Sequence, residues 1–562
     1  MEFGTFDIET IGLGGEFINS GTYFNGSYSY FEDIGSMLNY MINSECMVWY
    51  GHNTGRYDTR YFFNYLIENK YLLKPLVING SIAKLSVYRK KKRVLEIRDS
   101  YLLLSSSLKR LTFDFDVKHK KIELEQDYNN IKIDEQEKEY LKYDVIGLYE
   151  VLEEFFKLLK ERNIEPKLTY SSCALADFKT NYKEKFDKIR NIENDELRSG
   201  YYGGRTEVFK TYYKNDDIPL NCYDVNSLYP YVMSNFKFPV GEYTISREPI
   251  TEEYISKIEF YCPKDLNIPL LPVHYNKKLI FPTGYGTGVY TRHEIEKAKQ
   301  LGYKIKYIKT YNFKDSDYLF KDYVDYWYNI KKNSKGSKRN LSKLMLNSLY
   351  GKFGTRADRE RYIINPNKEW IRKNYNDWNL NDFEKFEVWS NKFKFVAPYV
   401  NLPIILYITS LSRLRLYEYI EKCEGDIYYC DTDSVFTTKN IDVSDKLGDV
   451  KLEKQSKEAH FLRPKVYGLV LTDESVLMKA KGLNKSMLKL ENYREATQHN
   501  DYSKFTQTTT NIGGFKTTLK RFGKFISNYK MTKTLHSEYT KRIILEDGVN
   551  TKPLYFEKEK DI

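Results

Sequence analysis

Residues 429–436 read YCDTDSVF, and no other stretch constrains the fold of this chain as tightly. Apolar or aromatic residues, Ile427 to Cys430 and then Val435 and Phe436, flank a four-residue polar centre, the pattern of two strands joined by a tight turn. Such a hairpin carries Asp431 and Asp433 at its tip, two carboxylates that project the same way and repel each other unless a cation lies between them. An ordinary surface turn uses the same residue types. The choice is made by a second segment. Tyr223 to Pro230, YDVNSLYP, closes an apolar strand on Asp224 and then reverses the chain. A second strand-end carboxylate is what a two-metal site needs, since neither hairpin acid alone can hold two magnesium ions ~4 Å apart.

Between these segments, Lys343 to Gly354 reads KLMLNSLYGKFG. Lys343, Asn347 and Tyr350 fall at i, i+4 and i+7 and share one helix face, with Gly351 beside them. A cation, an amide and a ring on one face can hold a triphosphate, a sugar and a base. An amphipathic helix with Leu344, Leu346 and Leu349 in the core explains the other face and leaves this one unaccounted for.

Acids also recur in the N-terminal part. FGTFDIET places Asp7 and Glu9 two residues apart on one side of a strand, Tyr50 to Phe62 carries Asn53 and Asp58, and Tyr140 precedes Asp144 by one helical turn. The phenol of Tyr140 can thus reach a water activated at the carboxylate. Tyr201 to Gly204 forms a YxGG sequence whose adjacent glycines let backbone N–H groups approach a phosphate. Further on, RPKVY puts Lys465 and Tyr467 on one face of a strand.

The three polymerase-like segments resemble motifs A, B and C of the family B DNA polymerases, and the wording SLYP, KLMLNSLYGK and YCDTDS is most similar to the protein-primed enzymes of small bacteriophages and linear plasmids. FDIET, Nx₃YD and Yx₃D resemble the three motifs of that family's proofreading 3′→5′ exonuclease. The match covers most of residues 1–485. It implies a mixed α/β, multidomain fold: an RNase H-like exonuclease domain followed by a right-hand polymerase of palm, fingers and thumb with two insertions. The expected divisions are 1–165 exonuclease; 166–204 a connecting segment with the YxGG loop; 205–315 palm with a first insertion at about 246–315, which includes the loop FPTGYGTGVYT; 316–354 fingers; 355–393 a second insertion; 394–484 palm; and 485–562 a small thumb and a tail whose end could equally be a separate piece. The fingers are read as helices Asp315 to Lys332 and Lys338 to Lys352, with Lys331, Lys332, Lys335, Lys338 and Arg339 clustered at the tip.

The resemblance also implies roles. Asp224, Asp431 and Asp433 are the polymerase acids, with Asp224, Asp433 and the Val225 carbonyl as metal ligands and Asp431 as an electrostatic tuner. Ser227, Leu228, Tyr229, Lys343, Asn347 and Tyr350 hold the nucleotide, Tyr229 lying under the sugar so that a 2′-hydroxyl clashes. Asp7, Glu9, Asp58 and Asp144 bind the exonuclease metals, assisted by Tyr140. Thr10, Asn53, Tyr57, Ser107 and Leu108 grip a frayed primer; Ser107 and Leu108, in SLKRL, could equally be a helix start. Tyr201, Gly203, Gly204, Lys465, Tyr467, Lys479 and Lys481 contact DNA. The family also uses a lysine in the nuclease, for which Lys118, Lys120 and Lys121 compete. Two Mg²⁺ ions are expected at each site, with Mn²⁺ as a substitute.

The reading is thus a DNA polymerase with proofreading, replicating a viral or linear-plasmid genome by protein-primed initiation and strand displacement; the alternative is a family B enzyme that uses ordinary nucleic-acid primers. Its expected partners are template and primer DNA, deoxynucleoside triphosphates, a terminal protein and a single-strand-binding protein, with the chain itself monomeric in the cytoplasm of a host cell. A net charge of +12 suits an acidic partner. Six scattered cysteines without a CxxC pair are read as free thiols, and the absence of a leader or a long apolar run as neither secretion nor membrane insertion.

Overall fold

Gly4–Thr10 is buried on both faces, as a strand in the middle of a sheet must be. It runs antiparallel to Phe17–Phe24 and parallel to Val48–Gly51, beyond which lie Lys92–Asp99, Ser81–Arg89 and Leu72–Ile78. The computed structural model describes residues 2–123, 134–366, 368–383, 385–535 and 539–558. Helix Glu135–Lys160 packs on this sheet through Leu141, Val145, Leu148 and Leu152, and the Thr5 hydroxyl donates to the Val145 carbonyl at 2.8 Å. Asp134 caps the helix by accepting from the Glu137 N–H at 2.9 Å.

The segment expected to form a second insertion is built onto this same sheet. Asp358–Ile364 joins the edge strand Leu72–Ile78 through the pair Ile364 and Leu73, and Phe386–Lys394 and Asn379–Phe383 follow, making ten strands. Tyr362, Ile364 and Val388 are buried in the N-terminal core. An edge strand with unpaired backbone groups needs a cover, and here the cover comes from far downstream in the chain. The connecting segment is likewise no loose linker. In helix Tyr170–Asn181, Cys173, Ala174 and Phe178 belong to the largest core, and buried Asp177 accepts from the Trp327 indole at 2.6 Å and pairs with Arg162 at 2.9 Å.

The second large sheet has eight strands, with Leu220–Val225 at its centre between Ser434–Thr437 and Val450–Arg463, and with Ile427–Asp431 and Thr206–Val208 continuing to one edge. Helix Leu402–Lys422, buried along most of its length, backs it. The segment expected to form a first insertion lies in a five-stranded sheet whose first strand is Phe238–Ser246. FPTGYGTGVYT is a strand there, Thr283–Thr291, not a loop: its glycines alternate along one face, and a Cβ on Gly286 would stand 2.2 Å from the Phe260 ring. The helical pair runs Lys321–Asn333 and Gly336–Ser348. Asp315 is not helical, because it pairs with Val240 across a strand ladder.

The C-terminal end is not separate. Helix Phe515–Phe522 buries Phe515 and Leu519 in the N-terminal core, between the paired strands Thr506–Ile512 and Asn528–Thr534. The chain then returns to the second sheet, where the Val208 N–H donates to the buried Tyr539 hydroxyl at 2.9 Å. Tyr555–Phe556 ends as the fifth strand of the insertion sheet. All six cysteines are free and buried. Among the described residues no helix is long and apolar enough to cross a membrane.

Candidate functional site

Asp224 sits near the end of the central strand, flanked by Ser434 on one neighbour and Lys451 on the other. Asp431 ends Ile427–Asp431, and Asp433 lies in the turn that follows. That turn is tight: the Asp433 N–H donates to the Asp431 carbonyl at 2.6 Å, and Thr432 takes a φ of 63°. The Val225 N–H donates to the Asp433 carbonyl at 2.7 Å and the Thr432 N–H to the Arg205 carbonyl at 2.7 Å, stitching the tip to the Asp224 strand and to the YxGG loop. Gly204 must lack a side chain there, since a Cβ would come within 2.8 Å of Thr432.

The charge imbalance is concentrated at two of the three acids. Burial, then Asp224 and Asp431, push the Asp433 carboxyl up to about 7. Burial also raises Asp224, against relief from Lys451 at 3.5 Å. Asp431 has a cation of its own, Lys465 at 2.9 Å, and accepts from the Tyr429 hydroxyl at 3.2 Å. Among the described residues no three His, Cys, Asp or Glu side chains are drawn in closely enough to enclose an ion. The donor set is nonetheless hard oxygen carrying uncompensated negative charge, which fits Mg²⁺.

Beside these acids, Tyr229 and Tyr350 stack with ring centroids 4.4 Å apart and planes 14° off parallel. Helix Leu228–Asn235 opens on buried Leu228, after Ser227 in a left-handed conformation (φ 53°). Lys343 and Asn347 are exposed together and line a cavity of about 350 Å³ with Asn340, Tyr170 and the Leu104 to Ser106 segment. Tyr350 is not on their helix but in the 3₁₀ turn Tyr350–Lys352. Two further cations complete this surface: Lys451, which sequence reasoning did not single out, and Lys331, expected only as one of the cluster at the fingers' tip. Lys331 donates to the Ser227 hydroxyl at 2.8 Å, and its ammonium is held below its usual range by burial and then by Lys343, Arg339 and Lys451.

The four N-terminal acids also converge. Asp7 is pushed up to about 7 by burial and then by Asp144, and Glu9 to about 9 by burial, Asp7 and Asp144. Burial, Asp7 and Glu9 hold Asp58 well above the carboxylate range, and burial raises Asp144, one of whose oxygens has no hydrogen-bond partner. Of the three competing lysines, Lys121 reaches the site: it pairs with Asp144 and donates to the Tyr140 hydroxyl at 2.7 Å, while Lys120 pairs with Asp116 at 2.8 Å. A fifth acid, Glu137, was not legible as such. It is buried one turn before Tyr140, fixed by the Asn19 amide at 2.9 Å to each oxygen, and its charge raises Glu9. On the exonuclease reading of this site, replacing Lys121 by methionine is expected to slow digestion of a 5′-labelled single-stranded oligonucleotide about 10²-fold without changing primer extension. Digestion at the wild-type rate would remove Lys121 from the site.

A cavity of about 610 Å³ opens beside Asp7 and Asp58, lined by Asn53, Tyr57, His52, Arg60 and, from the C-terminal part, Thr510 to Gly514. Tyr57 is held there by Thr10 at 2.5 Å, the Gly12 carbonyl at 2.9 Å and the Gly14 N–H at 2.8 Å. Asn53 is exposed with φ 59°. Ser107 instead caps helix Leu108–Asp114, accepting from the Arg110 N–H at 3.4 Å, and Leu108 is buried; neither is among the cavity's described lining residues. Near the other acids, Tyr201 is half-buried and Gly203 exposed. Lys465 is not a strand residue but occupies a turn (φ 65°), which is what lets its amine bend back to Asp431. Tyr467 is buried against Tyr429, Phe436 and Phe461. Lys479 and Lys481 are exposed, and the Lys481 N–H donates to the Lys465 carbonyl at 3.0 Å.

The chain is similar to several known proteins. The family described as DNA polymerase type B, organellar and viral, matches residues 38–130 and 116–393. A probable DNA polymerase of Podospora anserina is 30% identical over 495 residues, 74% of this chain and 39% of that one. The DNA polymerase of Bacillus phage Nf is 28% identical over 501 residues, 78% of this chain and 83% of its own. The structure of phi29 DNA polymerase complexed with primer-template DNA and incoming nucleotide substrates superposes with a TM-score of 0.76 at 21% identity, covering 95% of this chain and 99% of the other. The chain spans 39%, 54% and 32% of the length of the fungal relatives from Podospora anserina, Neurospora intermedia and Ascobolus immersus.

Proposed function

The chain belongs to the type B DNA polymerases of organellar and viral origin, and from that premise we propose that it is a template-directed DNA polymerase with a proofreading 3′→5′ exonuclease that begins synthesis on a protein primer. The observation that carries the polymerase reading is the meeting of Asp224 and Asp433 through the Val225 to Asp433 hydrogen bond, two half-buried acids with too little positive charge between them. Asp224, Asp433 and the Val225 carbonyl would hold two magnesium ions, which lower the pKa of a primer 3′-hydroxyl and neutralise a triphosphate. The chain's own share is positioning. Lys331, Lys343 and Lys451 draw in the triphosphate, Tyr229 and Tyr350 wall the sugar and base, and Asp431 remains engaged with Lys465. At the other centre Asp7, Glu9, Asp58 and Asp144 would hold the exonuclease metals, Lys121 and Tyr140 would orient a water, and Tyr57 and Asn53 would grip the single strand in the 610 Å³ cavity.

Template and primer DNA and deoxynucleoside triphosphates are then the substrates, in keeping with the phi29 DNA polymerase complex that holds primer-template DNA and incoming nucleotides. Protein priming, with a terminal protein, a single-strand-binding partner and a monomeric enzyme acting in the host cytoplasm, rests on the wording of the three motifs and on the five-stranded insertion sheet. Incubated with the product of a neighbouring small basic reading frame and a labelled nucleotide, but no oligonucleotide, the chain is expected to form a covalent protein–nucleotide adduct. No adduct from an element that proves circular, with ordinary primers extended, would leave a polymerase that uses nucleic-acid primers.

A further inference from the structure

The C-terminal segment passes beside the DTD hairpin and leaves a cation at its edge. Strand Thr206–Val208 pairs with Ile427–Asp431 so that Thr206 lies opposite Asp431. On its far side the returning chain places Lys541, whose ammonium donates to the Thr206 carbonyl at 2.9 Å and to its hydroxyl at 3.0 Å. An ammonium has three N–H donors, and among the described residues two of them are engaged. Directly beneath, Arg205 and Arg542, each about 1% exposed, converge on buried Glu207 at 2.6 and 3.9 Å. Three cations therefore stand over one carboxylate, within range of Asp431, which Lys465 flanks at 2.9 Å.

Resting on the polymerase reading above, we propose that Lys541 is a positioning residue that holds a backbone phosphate of the primer strand next to the polymerase acids. A structural prop for the edge strand needs no charge. A neutral donor would satisfy the Thr206 carbonyl without the cost of desolvating an ammonium, and burial does hold Lys541 below the usual lysine range. Among the described residues no carboxylate lies within ion-pair range of it; Glu207 and Asp431 favour its charge from farther off, and Glu207 is already matched by Arg205 and Arg542, which leaves Lys541 able to take an anion from outside. The exposed Lys479 and Lys481 belong to the opposite edge of the sheet, where the Lys481 N–H donates to the Lys465 carbonyl.

Lys541→Gln keeps a donor for Thr206 and removes the charge; Lys541→Arg keeps the charge. Binding of the full chain to a fluorescein-labelled primer–template duplex is measured by anisotropy at several salt concentrations, with primer extension and single-strand digestion alongside. The Gln variant is expected to bind about 5- to 10-fold more weakly at low salt, with a log Kd against log salt slope smaller by about 0.9, while Arg restores both. Wild-type affinity and slope in the Gln variant would overturn the proposal. Equal losses in both variants with the slope unchanged would also overturn it, since only the prop would then have been lost. If Gln unfolds the chain, the same slope read on Lys541→Met decides. A wild-type chain that binds duplex but extends no primer would instead sink the polymerase reading.

Discussion

Asp433→Ala is expected to abolish primer extension, by about 10³-fold or more, while digestion of a single-stranded primer continues at the wild-type rate. The size follows from what the side chain does. Asp433 is the most strongly raised acid at the hairpin, and its neighbours Asp224 and Asp431 repel it. A divalent cation contributes several kcal/mol to a phosphoryl-transfer barrier, and each ~1.4 kcal/mol is a factor of ten in rate. The selectivity follows from the fold, because the N-terminal acids sit on and around the ten-stranded sheet and Asp433 in a turn of the eight-stranded one. Rapid-quench extension of a labelled primer in Mg²⁺ provides the measurement. A purified, folded variant that extended at the wild-type rate would move the metal site away from this hairpin.

The parts of both sites that could be read in the sequence are those fixed by local geometry. Asp431 and Asp433 flank a tight turn, Asp7 and Glu9 share a strand face, and Tyr140 and Asp144 share a helix face, so spacing suffices for each. Glu137 and Lys451 were illegible, and Lys121 and Lys331 could be seen only as members of a cluster, for the opposite reason: each reaches its partner through pairing that no local period records. Lys451 meets Asp224 across a strand register, and Lys331 meets Ser227 from another helix. The Thr510 to Gly514 roof over the nuclease cavity is a still longer connection, tied down where the buried Arg60 guanidinium donates to the Gly513 carbonyl at 2.5 Å. Residues 281–291 misled because glycine usually signals a turn, whereas here it makes room for aromatic rings. Residues 355–393 gave no sign of their pairing, because a polar, Asn-rich stretch becomes a sheet extension only when another strand offers its edge.

Asp7→Asn combined with Glu9→Gln is expected to remove nearly all digestion of single-stranded primer and to spare extension, and the same variant reads out the metal-free site without any turnover. The carboxyls of Asp7 and Glu9 are pushed up to about 7 and about 9, from ordinary values of 3.8 and 4.5. Between those limits the folded chain holds protons that the unfolded chain releases. The stability these groups contribute is therefore present below their unfolded values and is lost as the pH rises through the folded ones. In EDTA at pH 8 the folded wild type carries an ionised Asp7 beside a Glu9 that keeps most of its proton, whereas the unfolded chain ionises both freely, and the double amide has no such cost of folding. Thermal unfolding in chelator should accordingly show the variant melting a few degrees above the wild type at pH 8, with the gap narrowing towards pH 5. Mg²⁺ should raise the wild-type midpoint further than the variant's and narrow the gap, because the variant keeps only Asp58 and Asp144 of the four acids at this site. Equal midpoints at pH 8 in EDTA, or an equal Mg²⁺ response in both proteins, would mean that Asp7 and Glu9 do not form a cation site, whatever the nuclease assay shows.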